Sequence, residues 1–294
     1  MSHADTRNLP AVHSVRDLRR VVASWHQAGQ SVALIPTMGA LHDGHLALVA
    51  RGKSLCDRVV ASIFVNPTQF GPNEDLARYP RDEAGDRRKL AASRCDLVFM
   101  PDVAEMYPQG FSTGVDPGPL AAWLDGKFRP GHFTGVATVV VKLLQQAQPD
   151  VACFGEKDYQ QLQIVRHVVR DLDLPVRIEG VPILREADGL ALSSRNAYLT
   201  ADQRRVAPSL YRVLQESASR AKQDGDLAEA LARGRAALTE AGFAKLDYLD
   251  ICDATTLASL ARLDRPARIL VAAWLGTTRL IDNLALAGAR SAGA

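Results

Sequence analysis

Two histidines separated by an aspartate and a glycine form the sequence pattern with the clearest chemical meaning. His42-Asp43-Gly44-His45 follows an apolar run that ends at Pro36, and it opens a segment with helical spacing. The N-terminus of a helix offers unpaired N–H groups and a partial positive charge, and a glycine lets the backbone approach a phosphate closely. Two imidazoles at this place can bind the same phosphate oxygens. The pattern predicts a triphosphate site without a P-loop lysine, and the alternative is a pair of surface histidines beside a turn glycine.

Polar residues also follow two further predicted strands. Gln69 comes shortly after the β-branched run Arg58–Val65, and its amide has a donor and acceptors that suit a hydroxy acid with a carboxylate and hydroxyl groups. Lys157 comes just after the run Asp150–Phe154, where a compact positive charge can reach a phosphate. Each segment also has a purely structural interpretation, as a strand-to-turn connection and as a capped helix with a surface lysine.

Two basic segments are further candidates for anion binding. In Ser193–Asn196, two hydroxyl groups and the guanidinium of Arg195 can donate to phosphate oxygens, although a helix-capping loop has a similar sequence. In Lys127–His132, a loop expected before a helix, Arg129 is a candidate for a phosphate or carboxylate contact. A solvated basic turn is the alternative for this second segment.

Short apolar strands alternate with helices over the first part of the chain. Ser14 is placed to cap a helix that Gly29 ends. The predicted strands are Ser31–Pro36, Arg58–Val65, Asp96–Met100 and Asp150–Phe154, and the helices between and after them include Gly44–Leu55 and Tyr159–Leu172. This alternation predicts an α/β fold whose parallel sheet is covered on both faces. Ligands bind at the carboxyl ends of the strands in such sheets, and each motif either follows a predicted strand or lies at the expected domain boundary.

The pattern changes beyond about residue 185, where helices are followed by strands instead of alternating with them. The helical windows and the strand candidates are Ala201–Lys222, Asp226–Ala241, Lys245–Cys252 and Ala267–Trp274. We therefore expect a first domain at residues 1–184 and a smaller α+β domain at residues 185–294. Three tryptophans are expected to be packing anchors, namely Trp25, Trp123 and Trp274.

The composition is that of an ordinary globular protein, with 47% hydrophobic and 23% charged residues in a chain of 294. The 35 basic and 33 acidic residues give a net charge of +2 without a long charged run, so no nucleic-acid partner is expected. Neither a bilayer-spanning stretch nor the apolar core of a signal sequence is visible, so we expect a cytoplasmic protein without membrane contact. The 4 cysteines lack metal-ligand spacing and are expected to be reduced and mostly buried.

Five segments resemble the successive signatures of the pantothenate synthetase family. This family is part of the nucleotidyltransferase superfamily, which includes the class I aminoacyl-tRNA synthetases. No motif position departs from the family pattern, whereas the C-terminal third is similar only in general texture. The segments are IPTMGALHDGHLALV (35–49), FVNPTQFGPNEDLARYPR (64–81), GHFTGVATVVVKL (131–143), FGEKDYQQL (154–162) and GLALSSRNAYL (189–199).

The resemblance implies a fold, an activity and partners. The implied fold is a Rossmann-like domain of the nucleotidyltransferase type followed by a small C-terminal domain, assembled as a homodimer. The implied activity is the ATP-dependent condensation of (R)-pantoate with β-alanine through a pantoyl adenylate. This reaction gives pantothenate, AMP and diphosphate, and it belongs to the biosynthesis of pantothenate and coenzyme A. Mg²⁺ is expected to arrive mainly on ATP.

The resemblance also implies roles for single residues. His45 is the implied proton donor, and we expect His42, Lys157 and Arg195 to share in stabilising charge on the phosphates. Gln69 and Gln161 are assigned to the acid and amine substrates, chiefly to pantoate. The residues assigned to ATP are Met38, Gly39, Ala40, Leu41, His42, Asp43, Gly44, His45, Gly155, Glu156, Lys157, Asp158, Leu184, Leu192, Ser193, Ser194 and Arg195.

Two other functions remain open from the sequence. A related nucleotidyltransferase would stop at a nucleotidylated product and retain AMP in it. A nucleotide-binding regulatory module would bind ATP but release no pyrophosphate with any acid. A tRNA synthetase is disfavoured, because the chain lacks the mass of an anticodon-binding domain and a strongly basic character.

Overall fold

The computed structural model describes residues 9–72 and 74–286, and these residues form two compact units. The first unit takes in the described residues within Met1–Ala121, Arg129–Glu156 and Gln161–Pro182. The second takes in those within Ala122–Phe128, Lys157–Gln160 and Ile183–Ala294. The single boundary expected after residue 184 stays a prediction, and the second unit also includes two short earlier segments.

The described residues contain helices and strands in the following order, with several short 3₁₀ turns between them. They are β1 (Ala11–Val12), α1 (Val15–Gln27), β2 (Val32–Thr37), α2 (Asp43–Leu55), β3 (Arg58–Ile63), α3 (Glu83–Ala92), β4 (Leu97–Phe99), α4 (Val103–Met106), α5 (Asp125–Phe128), α6 (His132–Ala147), β5 (Val151–Gly155), α7 (Tyr159–Asp171), β6 (Arg177–Val181), α8 (Ala201–Val206), α9 (Ser209–Asp224), α10 (Leu227–Glu240), β7 (Lys245–Asp253), β8 (Ala267–Leu275) and β9 (Thr278–Leu286).

A parallel sheet of six strands forms the centre of the first unit. Its strand order is β1-β4-β3-β2-β5-β6. The continuous apolar runs of the central strands are explained by burial on both faces, because residues 32–35 and 59–61 are fully buried. The α/β fold expected from the sequence is thus confirmed. The order of strands reverses beside β2, and the carboxyl ends of β2 and β5 meet at this switch point.

Local signals of the sequence explain where the first helix begins and ends. The Ser14 hydroxyl caps α1 by accepting from the N–H of Asp17 at 3.1 Å. Gly29 follows the helix with a φ of +73°, a conformation that favours glycine. Both predictions for this helix are confirmed.

The second unit contains an antiparallel sheet of order β7-β8-β9. Helices α9 and α10 share one apolar core with this sheet, which includes Leu214, Leu238, Ile251, Ile269 and Val271. This confirms the smaller α+β part expected from the sequence. The window Ala201–Lys222, expected as one helix, is two helices, because Pro208 between them has no N–H to donate within a continuous helix.

Strand β9 and one tryptophan differ from expectation. The segment Thr278–Leu286 was not among the predicted strands, although it pairs with β8 along its whole length. Trp123 is 58% exposed, so its interpretation as a packing anchor is wrong. Trp274 does pack, and its indole N–H donates to Asp247 at 3.0 Å.

All four cysteines lie in the described part of the chain as free thiols. Three of them are buried and Cys56 is half-buried, as expected. Burial raises the pKa of Cys95 to about 11 and that of Cys153 to about 12, so both thiols stay protonated and unreactive at neutral pH. Within residues 9–72 and 74–286, no helix has the length and apolar character needed to cross a membrane.

Candidate active site

The sequence motifs of the first unit meet at one edge of its sheet. The HxGH segment follows β2, the segment with Gln69 follows β3, and Gly155 ends β5. These three strands are neighbours, with β2 in the middle. Since parallel strands end at the same edge, the segments lie side by side at the switch point, where open α/β sheets bind their ligands.

The two histidines of the motif cap helix α2 reciprocally. His42 is the N-cap residue, and its Nδ1 accepts from the N–H of Gly44 at 3.2 Å. The Nδ1 of His45 accepts from the N–H of His42 at 3.3 Å, and the ring centroids are 4.1 Å apart. An N–H can donate only to an unprotonated ring nitrogen, so each neutral imidazole carries its proton on Nε2. The cap therefore provides two Nε2–H donors at the N-terminus of a helix.

The loop before this helix has a conformation that needs external support. Gly39 has a φ of +79° and Ala40 a φ of +50°, the second of which is unusual for a residue with a side chain. The buried carboxylate of Asp86, on α3, accepts from the N–H groups of Ala40 and Leu41, both at 2.8 Å. The ammonium group of Lys89 donates to the Leu41 carbonyl at 2.5 Å. Helix α3 thus fixes the loop that leads to the histidines.

Burial of Asp86 has a definite effect on stability. Loss of hydration raises the pKa of this carboxyl, and the two backbone N–H groups offset the rise only in part. A pKa above that of the unfolded chain means that the folded protein binds the proton more readily. The contribution of Asp86 to the free energy of unfolding is present at low pH and is lost as the pH rises through its raised pKa. At neutral pH, the ionised carboxylate therefore costs stability while it holds the loop.

We expect Asp86→Asn to reduce adenylate formation about tenfold with little change in stability. An asparagine can accept from one of the two N–H groups, but its own NH₂ then faces the other, so the loop relaxes. Single-turnover adenylation and thermal unfolding measure the two effects. Asp82→Asn is the matched control on the same helix, since Asp82 accepts from the Gly85 N–H and asparagine also caps helices well. Equal adenylation rates in Asp86→Asn and the control would contradict this role.

Gln69 is buried in the short turn after β3, and both atoms of its side-chain amide are held in place. Its Oε1 accepts from Asn66 Nδ2 at 3.0 Å, and its Nε2 donates to the Met38 sulfur at 3.2 Å. Asn66 is almost fully buried, and its Oδ1 accepts from the Tyr107 hydroxyl at 2.8 Å. The contact with Met38 connects the turn after β3 to the HxGH loop after β2. The side chain assigned to pantoate is therefore next to the segment assigned to ATP.

Gly135 of α6 permits this turn to lie directly on the helix. A Cβ at this position would be 2.3 Å from the Thr68 carbonyl oxygen and 2.8 Å from the Gln69 Cα, both backbone atoms. The Asn66 amide also donates to the Gly135 carbonyl at 3.2 Å. Any larger residue at position 135 must displace the turn that carries Gln69.

The segment before α6 is not a solvated basic turn. The guanidinium of Arg129 donates to both carboxylate oxygens of Glu74, at 2.7 and 2.5 Å, and only 14% of its side chain is exposed. His132 Nδ1 lies 2.8 Å from the Gln69 carbonyl, which can only accept, so this nitrogen carries the proton. Its Nε2 then accepts from Arg129 at 2.9 Å. Both residues therefore buttress the Gln69 turn from the side of α6.

The second unit holds the remaining predicted residues. Lys157 and Asp158 lie in a 3₁₀ turn directly before α7, where sequence analysis predicted a helix cap. Ser193 caps a 3₁₀ turn over Ser194–Tyr198 by accepting from the Arg195 N–H at 3.3 Å. The serine-rich segment thus forms a capped turn, as the capping alternative expected.

The other residues assigned to ATP or pantoate lie in both units. The Leu192 N–H donates to the Leu184 carbonyl at 3.0 Å, so these two residues lie side by side in the second unit. Leu184 is 42% exposed. In the first unit, Gln161 is half-buried in the first turn of α7, and Glu156 follows Gly155 at the end of β5.

Three residues that the structure places in this site were not predicted from the sequence. Asp86 lies four residues before the buried Leu90 and so shares the inward face of α3, a signal available in the sequence. Gly135 interrupts the apolar spacing of α6, which indicates a close packing contact. Tyr107 lies in no motif, and only the fold brings its hydroxyl to Asn66.

Comparisons with known proteins show the family of this chain. The family model described as pantoate-beta-alanine ligase matches residues 10–285. The pantothenate synthetase of Paramagnetospirillum magneticum is 58% identical over 277 residues, which cover 93% of this chain and 98% of that protein.

Solved structures are similar over the same range. The pantothenate synthetase of Thermus thermophilus has a TM-score of 0.89 at 51% identity, with 94% of this chain and 98% of that chain covered. The pantoate-beta-alanine ligase of Francisella tularensis, complexed with beta-gamma ATP and beta-alanine, has a TM-score of 0.78 at 36% identity, with 94% and 97% covered. The chain therefore belongs to the pantoate-beta-alanine ligase family.

Proposed function

We propose that the reaction takes place at the carboxyl ends of β2, β3 and β5, through a pantoyl adenylate. As a pantoate-beta-alanine ligase, the chain condenses pantoate with β-alanine at the expense of ATP. The observation that supports this location is the reciprocal cap of His42 and His45, which directs two N–H donors and a helix N-terminus to one edge of the sheet.

The first step in this proposal activates the pantoate carboxylate. A carboxylate is a poor acyl donor, so it attacks the α-phosphorus of ATP and expels pyrophosphate. Negative charge then develops on the α-phosphate and on the leaving group, and Nε2–H groups of His42 and His45 stabilise it by hydrogen bonds. A ring that is neutral in the cap acts here as a hydrogen-bond donor, which is the role that the geometry supports for His45.

The acid is proposed to bind beside this phosphate site. Gln69 and Gln161 would bind pantoate through their amides, and the contact between Gln69 and Met38 supports a position next to the HxGH loop. Alignment of the two substrates accounts for much of the rate, because no protein nucleophile is required. In the second step, the amine of β-alanine attacks the acyl carbon of the adenylate, and AMP leaves as the bond between that carbon and the phosphate oxygen breaks.

The remaining roles rest on the family resemblance. Lys157, Ser193, Ser194 and Arg195 of the second unit are proposed to donate to phosphate oxygens, and the backbone at Leu184 and Leu192 to contact ATP. Mg²⁺ is proposed to arrive on ATP and to bridge its phosphate oxygens. A homodimer and a cytoplasmic location are the further proposals that come from the resemblance.

Product identification tests this function. We expect the purified chain with ATP, Mg²⁺, pantoate and β-alanine to yield pantothenate, AMP and pyrophosphate in equal amounts, as measured by mass spectrometry. A product that retains AMP would instead indicate a nucleotidyltransferase. Binding of ATP without release of pyrophosphate would indicate a regulatory module.

A further inference from the structure

Two consecutive residues of β9 contact both segments of the second unit that are proposed to bind ATP. Asp282 and Asn283 lie in the middle of the strand, and each is nearly fully buried. One contacts the segment that begins at Leu184, and the other contacts Lys157. They lie in the C-terminal third, which carries none of the motifs found in the sequence.

Asn283 holds the backbone of Lys157. Its Nδ2 donates to the Lys157 carbonyl at 2.9 Å, and its Oδ1 accepts from Arg268 Nε at 2.6 Å. The Arg268 guanidinium in turn lies 3.8 Å from the ring centroid of Tyr159, two residues after Lys157. The Tyr159 hydroxyl donates to the Ala254 carbonyl at 2.7 Å. The turn with Lys157 is therefore fixed to the antiparallel sheet through the lysine carbonyl and through Tyr159.

Asp282 holds the other segment through Arg185. Its two carboxylate oxygens accept from the guanidinium at 2.6 and 2.9 Å, in a bidentate and largely buried ion pair. The same guanidinium donates to the Gly189 carbonyl at 3.0 Å and stacks on the Tyr211 ring at 3.6 Å from its centroid. This contact orders the chain that connects Leu184 with the serine-rich turn.

We propose that Asp282 and Asn283 are positioning residues for ATP, which hold the Leu184–Arg195 segment and Lys157 in one fixed arrangement. The inference rests on the proposed function, because it assumes that these two segments bind the nucleotide. Neither residue needs to touch ATP. A positioning residue acts through the residue that it holds, which is Lys157 for Asn283 and Arg185 for Asp282. A double-mutant cycle with that residue therefore separates positioning from general stability.

A double-mutant cycle tests the role of Asn283. Asp is nearly isosteric with Asn and still accepts from Arg268, but it cannot donate to the Lys157 carbonyl. We expect Asn283→Asp to raise the KM for ATP about tenfold in pyrophosphate exchange, and the KM for pantoate less than about threefold. In a Lys157→Met background, the effect of Asn283→Asp on the ATP KM should fall below about threefold.

The same cycle with Arg185→Met tests Asp282. Asp282→Asn should raise the ATP KM by a similar factor, and this effect should disappear when Arg185 is already replaced. Asp247→Asn is the control for a purely structural effect, since Asp247 is a buried acceptor for Trp274 and Arg279 in the same unit. We expect the control to lower the unfolding temperature without a change in the ATP KM.

The outcomes separate the two proposals. An unchanged ATP KM in Lys157→Met would remove the basis for the role of Lys157 in the proposed function. The positioning role alone would be overturned if Lys157→Met strongly raises the ATP KM and Asn283→Asp then raises it by the same factor with or without Lys157. An ATP KM shift in Asp247→Asn equal to that of Asn283→Asp would also overturn it. If Asn283→Asp does not fold, Asn283→Ala completes the same cycle with the same expected outcomes.

Discussion

Replacement of His45 by asparagine is expected to slow adenylate formation by about a hundredfold, which corresponds to about 2.7 kcal/mol of transition-state stabilisation. The Oδ1 of asparagine can take the place of Nδ1 and accept from the His42 N–H, so the helix cap survives. The Nε2–H donor is lost. His45→Gln places an amide N–H near the former Nε2 and should recover part of the rate. Single-turnover formation of the pantoyl adenylate measures both variants.

His26→Asn is the matched control for this pair. His26 lies in the last turn of α1, 3.5 Å from Asp150 at the opposite edge of the sheet, and its loss should leave adenylation unchanged. A folded His45→Asn enzyme with a near-normal rate would show that Nε2–H does not act on the phosphates. If His45→Gln forms the adenylate as slowly as His45→Asn, His45 does not act as a hydrogen-bond donor.

The second large effect is expected from Gly135→Ala, with a loss of roughly ten- to a hundredfold in kcat/KM for pantoate. The new Cβ meets backbone atoms of Thr68 and Gln69, which cannot rotate away as a side chain could. The turn must shift, and the Gln69 amide shifts with it. The KM for ATP should change by less than about threefold, because Asp86 and Lys89 still hold the HxGH loop from helix α3.

Gly114→Ala is the control for this substitution. A Cβ at Gly114 would face the same helix α6 at ordinary contact distance, 3.7 Å from Thr134, and it should leave pantoate kinetics unchanged. Alanine also raises helix propensity by up to about 1 kcal/mol at position 135, so the variant should remain folded. Unaltered pantoate kinetics in folded Gly135→Ala would mean that the position of the turn does not set acid binding.

The sequence was most informative where local chemistry decides the structure. Three local features depend on a few neighbouring residues, and all three predictions were confirmed. They are the cap by Ser14, the turn at Gly29 and the strand-loop-helix around His42. The parallel sheet was predictable because burial on both faces leaves uninterrupted apolar strands. Strand β9 was missed, since Asp282 and Asn283 make the segment polar although both are buried against distant partners.

The tertiary hydrogen bonds and ion pairs that hold the motif residues in place could not be predicted from neighbouring residues. Arg129 was a candidate for an anion contact, but its ion pair with Glu74 depends on how residues 55 positions apart meet in the fold. The reciprocal cap of His42 and His45 required the backbone at Gly39 and Ala40, which Asp86 holds from another helix. Helical spacing can place a residue such as Asp86 on an inward face, but it does not show which distant backbone groups that residue meets.

Pyrophosphate exchange tests the central claim most directly, because only an adenylate formed before amine attack allows it. With Mg²⁺ and ATP, labelled pyrophosphate should enter ATP when pantoate is present and β-alanine is absent, and it should not do so without pantoate. Addition of β-alanine should then convert the accumulated intermediate to pantothenate and AMP. Exchange that requires β-alanine, or the appearance of ADP and phosphate in place of AMP and pyrophosphate, would contradict the adenylate mechanism.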